Sequence, residues 1–186
     1  MAWPDDHKQQ TRDRIVESAA AALRANGIDG VSIAEIMADA GLTHGGFYAH
    51  FKSKDELIGA ALGRASRETI ERLSNNRASG DQRIAAVIDT YLSAGHAAHP
   101  ELGCPLAALG PELARASEPI REGLAAGVAQ RIEWVRQQLP ESEATEENAM
   151  AIVATMLGGL LLARMVAPEK SAAVLDATRS FIASAR

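Results

Sequence analysis

Residues 32–57 read SIAEIMADAGLTHGGFYAHFKSKDEL, and they constrain the fold more than any other stretch of the chain. Ser32 followed by Glu35 is a capping box and opens a helix at Ile33. Ile33, Ile36 and Met37 give that helix one apolar face. Gly41 stands where a helix ends in a left-handed residue, a conformation glycine adopts without steric cost. Leu42 packs beneath the turn. Thr43 suits the N-cap of a second short helix carrying His44 to His50. Ser53 and Glu56 form a second capping box and open a third helix. Two short helices joined by a three- to four-residue turn containing Gly are a helix-turn-helix, the arrangement that sets a recognition helix into the DNA major groove.

The remainder reads as helix throughout. Alanine-rich composition, with only seven aromatic residues in 186, favours an all-α chain. One cysteine rules out an intrachain disulfide and suits a reducing cytoplasm. The polar N-terminus has no apolar signal-type core. Charge does not advertise nucleic acid: the net charge is −5, and residues 1–58 carry nine carboxylates against six Lys and Arg. A local patch is available, because Leu42 to Lys54 contains no acid but holds His44, His50, Lys52 and Lys54.

Periodicity predicts helices over 9–26 and 54–76, the latter burying Leu57, Ile58, Ala61, Leu62, Ala65 and Leu73. Residues 75–81 form a loop, with Asp81 capping a helix that carries Ile84, Val87, Ile88, Tyr91 and Leu92. Residues 99–119 are irregular around a short helix near 105–115. Ser117 then caps a helix with the stripe Ile120, Leu124, Val128, Ile132, Val135 and Leu139. Thr145 starts a helix running to about Ala167, with Glu146 and Glu147 at its positive end. A last amphipathic helix covers about 171–184. The apolar run that ends at Ala163 is about fifteen residues, short of the roughly 20 needed to span a bilayer. With the pair Gly158-Gly159 it reads as a subunit interface, joined by Leu162 and Phe181, or as core.

The pattern Ser32, Ile36, Ala40-Gly41-Leu42-Thr43, Gly46-Phe47-Tyr48, His50-Phe51, Ser53-Lys54 and Leu57 resembles the TetR/AcrR family of bacterial transcriptional regulators. The resemblance covers roughly residues 9–75. It implies an all-α protein of about nine helices: a three-helix DNA-binding domain, residues 1–56, then an effector-binding and dimerisation domain, residues 57–186. The implied partners are a double-stranded palindromic operator, a second copy of the chain and a small-molecule effector. Two recognition helices would read half-sites about 34–36 Å apart. The implied activity is repression relieved by the effector, without catalysis and without a membrane.

By the same match, Thr43, His44, Gly45 and Gly46 face the bases, and Ser32, Tyr48, His50 and Lys54 meet phosphate. Phosphate contacts position the protein without reading sequence. Phe47 and Phe51, spaced i, i+4, belong to the core. Tyr91, His96, Cys104, Trp134 and Met156 are candidates for an effector pocket, apolar with a few placed polar groups. Cys104, with Pro105 opening a helix after it, is open to two readings, a buried hydrophobe or a reactive thiol that senses oxidants or electrophiles. A further alternative is a helical small-molecule-binding protein without DNA function. His96 and His99, with only Glu101 near, do not complete a metal site, and no cofactor or catalytic motif is present.

Overall fold

The computed structural model describes residues 4–75, 78–80 and 82–186, and among these the chain is entirely helical. Its α-helices are α1 (Pro4–Asn26), α2 (Ile33–Asp39), α3 (Lys54–Ser74), α4 (Gln82–Tyr91), α5 (Ala94–Ala98), α6 (Pro105–Leu113), α7 (Glu118–Arg136), α8 (Glu146–Met165) and α9 (Pro168–Ala185). Asp81, expected to cap α4, lies outside the described residues. α1 begins at Pro4 rather than near residue 9, and α5 is a short helix capped by Ser93, whose Oγ accepts the His96 N–H at 3.2 Å.

Two cores share α3 as a common beam. The first joins Ile15, Leu23, Met37, Phe47, Phe51, Leu57 and Ala61 with Leu109, Leu113 and Ile120 from α6 and α7. The second joins Leu73 with Ile84, Leu92, Cys104, Val135, Met156, Leu160 and Leu175. The first core therefore extends along α3 to Ala65, beyond the expected boundary at residue 56, and borrows residues from α6 and α7.

Local signals held where they depend on neighbours in sequence. Ser32 Oγ accepts the Glu35 N–H at 3.2 Å while Glu35 returns a carboxylate to the Ser32 N–H at 2.9 Å. Gly41 has φ +71°, with Gly41 N–H donating to Ala38 O and Leu42 N–H to Met37 O, the paired bonds of a Schellman ending. Thr145 Oγ1 caps α8 through the Asn148 N–H at 3.1 Å.

Other expectations are corrected. The short helix expected after the turn is present as a 3-10 helix, His44–Ala49, one residue shorter than expected. Two adjacent glycines weaken α propensity, and so short a run tolerates the tighter i→i+3 bonding. Thr43 occupies its cap position but makes no side-chain cap bond. Ser53 caps α3 through Glu56 N–H, yet the Glu56 carboxylate accepts from Lys52 N–H at 2.8 Å, so the second capping box does not close on itself. Ser117 likewise occupies the N-cap position of α7 without a side-chain cap bond; its hydroxyl donates to Asp55 at 2.8 Å.

α8 is not buried all round. Ile152, Val153, Met156, Leu160 and Ala163 face the core, whereas Met150, Leu162 and Met165 are exposed. Among the described residues α8 is the one helix long and apolar enough to cross a bilayer, but it packs against α6, α7 and α9, and Arg164 donates to the carbonyls of His96 (2.8 Å) and Ala97 (3.3 Å). Gly159 is committed inside the chain rather than at its surface: a Cβ there would stand 2.5 Å from Thr178 Cγ2 of α9. Gly159→Ala should push α8 from α9 and cost about 1–3 kcal/mol, the usual penalty of overpacking, read as a lowered melting temperature.

Candidate nucleic-acid interface

The surface built by residues 43–48 hangs on two buried rings. Phe47 and Phe51 are fully buried and stack with centroids 5.8 Å apart. The Arg12 guanidinium covers Phe51 at 4.4 Å. With these anchors inward, Thr43, His44, Gly45 and Tyr48 face solvent, Tyr48 at 68% exposure with its ring edge-on to Phe47. Neither Gly45 nor Gly46 is demanded by the fold. Both have ordinary φ, Gly45 has open space around its missing Cβ, and at Gly46 a Cβ would only touch Met37 at 3.6 Å.

Local electrostatics explain how an acidic chain can present this face. Flanking carboxylates are tied down: Asp39 by the Ser18 hydroxyl (2.5 Å), Glu35 by Ser32, Glu56 by the Lys52 N–H and by Arg12 at 3.7 Å, and Asp55 by Ser117. The Ser32 hydrogen bonds hold the Glu35 carboxyl below its ordinary range. Burial, then Lys8 and Arg12, lowers the pKa of His50, and its Nδ1 is buried without a partner. These shifts favour the neutral imidazole at His50. Ser32 is exposed, but its hydroxyl already serves Glu35 at 2.8 Å.

Lys54 has a structural task that sequence reading missed. Its Nζ donates to Ile28 O (3.1 Å) and Val31 O (2.8 Å), clamping the loop between α1 and α2 onto the start of α3. Two of its three N–H bonds are therefore spent within the protein.

The candidate pocket residues do not converge on one cavity. Tyr91, Cys104 and Met156 line a tight space with about 10 Å³ of room, enough for one water. Trp134 is half-buried and does not line it. His96 is a clamp: Nδ1 bonds Tyr91 O at 2.7 Å and Nε2 accepts the Cys104 N–H at 3.0 Å, which fixes the neutral Nδ1–H tautomer. Burial lowers its pKa to about 4. A base whose folded pKa lies below its unfolded value stabilises the fold above the unfolded value, about 6.5, and loses that contribution as pH falls toward 4. Comparing chemical denaturation of the native chain and His96→Gln between pH 7 and 4 should show a shallower acid loss in the variant. Cys104 is wholly buried at the cap of α6, its sulfur beside the Tyr91 hydroxyl.

Three features escaped sequence reading. A groove of about 380 Å³ runs between α3, α6 and α7, where Gly59 and Gly63 face the Gly123 and Gly127 side of α7. Arg131, only 5% exposed, reaches across with Nη2 3.5 Å from Ser66 O. Its sequence signal was present, since it interrupts the apolar stripe between Val128 and Val135. Third, Glu112 of α6 grips the loop that Lys54 also holds: its carboxylate accepts the Ile28 N–H at 2.6 Å. Gly27, at φ +79°, lies beneath that carboxylate, where a Cβ would meet both oxygens at under 3 Å.

Comparison with known proteins agrees with this geometry. Residues 15–61 match the family described as bacterial regulatory proteins, tetR family, and residues 80–180 match the tetracyclin repressor-like C-terminal domain. A TetR transcriptional regulator from Chloroflexus aurantiacus superposes with a TM-score of 0.77 at 30% identity, over 96% of this chain and 95% of that one. The reduced form of Escherichia coli NemR has the same fold, with a TM-score of 0.78 at 23% identity over 93% of this chain and 95% of that one. The HTH-type transcriptional regulator TtgR of Pseudomonas putida is 35% identical over 77 residues, 41% of this chain and 36% of its own. The chain belongs to the TetR family and is a DNA-binding, ligand-responsive transcriptional regulator, not an enzyme.

Proposed function

We propose that this regulator is a cytoplasmic repressor that binds a palindromic operator as a homodimer and leaves it when a small molecule occupies the C-terminal body. The observation that carries this reading is the exposed row Thr43, His44, Gly45 and Tyr48, held outward by buried Phe47 and Phe51. Thr43 to Gly46 approach base edges, while Tyr48, His50, Ser32 and the free N–H of Lys54 meet phosphate. Residues 1–56 act as the reading head and residues 57–186 as the sensing and pairing body. Pairing falls to the apolar surface of α8 and α9, which exposes Leu162 (51%) and Phe181 (61%) and leaves open space at Gly158.

Release works through α6. One end of this helix borders the groove and the small cavity, through Pro105 and Leu106; at the other, Glu112 holds the entrance to α2. A ligand that favours a shifted α6 would change the angle of the reading head and mismatch the two half-sites, lowering affinity by its difference in binding between the two states. A gel shift with the DNA upstream of the gene, at low salt, should give one discrete complex of dimer stoichiometry. Absence of any complex, or a complex of one chain per site, would count against the reading.

A further inference from the structure

Arg131 is a buried guanidinium without a counter-charge. Among the described residues no carboxylate pairs with it, its Nε has no hydrogen-bond partner, and its contact with Ser66 O is long, at 3.5 Å. The Tyr91 hydroxyl, 98% buried with its residue, has only the weakly accepting Cys104 sulfur beside it and no oxygen or nitrogen partner, and both residues line the cavity beside Cys104. Burial holds the Tyr91 phenol well above its ordinary pKa, so it is a neutral donor. Burying a charged group without a counter-charge beside a hydroxyl without a strong hydrogen bond is costly unless something else compensates them. Half-buried Leu106 lines both this cavity and the groove of about 380 Å³, whose walls are mostly Leu, Ile and Gly with Ser66, Arg67 and Gln130 as the polar members.

We propose that the effector is an apolar monocarboxylate: its hydrocarbon body lies in the groove between α3 and α7, and its carboxylate passes Leu106 to take hydrogen bonds from Arg131 Nε and the Tyr91 hydroxyl. This deepens the reading of residues 57–186 as a sensing body and rests on it. The head needs more room than the present cavity offers, so entry displaces Leu106 and with it the first turn of α6, the helix whose far end holds Ile28. Charge complementarity selects the head, and the glycine-lined walls accept the body.

The test uses the full-length chain without DNA and three probes of equal length: octanoate, 1-octanol and octylamine, followed by calorimetry. Octanoate should bind at least tenfold more tightly than either control. Arg131→Met, which removes the uncompensated charge at similar length, should keep or raise the melting temperature and abolish the preference. Tyr91→Phe should reduce it severalfold. Equal binding of all three probes, or no binding, overturns the proposal, as does a preference that survives Arg131→Met. An Arg131→Met chain that melts well below the native one assigns Arg131 to a structural water site and also overturns it. Because these readings need no operator, failure here is separable from failure of the DNA-binding reading, which a gel shift reports.

Discussion

Tyr48→Phe should lower operator affinity about 100-fold or more while leaving the melting temperature unchanged. A hydrogen bond to a charged phosphate contributes about 1.5–3 kcal/mol, and a symmetric dimer loses two of them. Tyr48 is mostly exposed, and its ring contact with Phe47 survives the change, so the fold has no reason to respond. Lys54→Met should behave differently. Releasing Ile28 O and Val31 O should loosen the α1–α2 loop and lower the melting temperature as well as affinity. Gly45→Ala supplies the converse: an added methyl meets nothing in the protein and improves helix propensity, so stability should hold or rise while operator affinity falls. Binding isotherms and melts on the three variants separate contact from scaffold.

The second large effect concerns release. Glu112→Ala should shrink the ratio of operator affinities without and with the inducing small molecule by about tenfold, within the range expected for coupling between sites. Without the carboxylate, α6 has no polar grip on Ile28, and a shifted α6 no longer carries the reading head with it. The Ile28 amide, stripped of its 2.6 Å acceptor, should exchange its hydrogen markedly faster. Glu112→Gln keeps an acceptor oxygen of the same reach and should restore most of both properties. Unchanged induction in Glu112→Ala would assign transmission to the α3 beam instead.

Legibility followed sequence distance. The capping box at Ser32, the left-handed Gly41 and the i, i+4 phenylalanines are local events, decided by residues within a turn of one another, and they read correctly. The 3-10 form of residues 44–49 was a near miss, since the same two glycines that mark the base-facing stretch also deny it an α-helix. Lys54 reads as a surface cation because its acceptors lie 23 and 26 residues away. Glu112 has no local signature at all, since its partner is 84 residues distant. Arg131 did leave a trace, a charge set into an apolar stripe, but the want of a counter-charge beside it is a property of the packed core. For α8, composition correctly showed apolar residues on every side, yet it could not say which side belongs to this chain; the exposed Leu162 and Met165 and the buried Gly159 divide along that line.

The central claim is that residues 43–48 of a symmetric pair read a palindrome. Selection of duplexes from a randomised DNA pool by the full-length protein, followed by sequencing, tests it most directly. The selected duplexes should share an inverted repeat with half-site centres separated by about one helical turn or a multiple of it. Tyr48→Phe should enrich the same repeat more weakly. Recovery of no shared motif, or of a single unrepeated site, would contradict it.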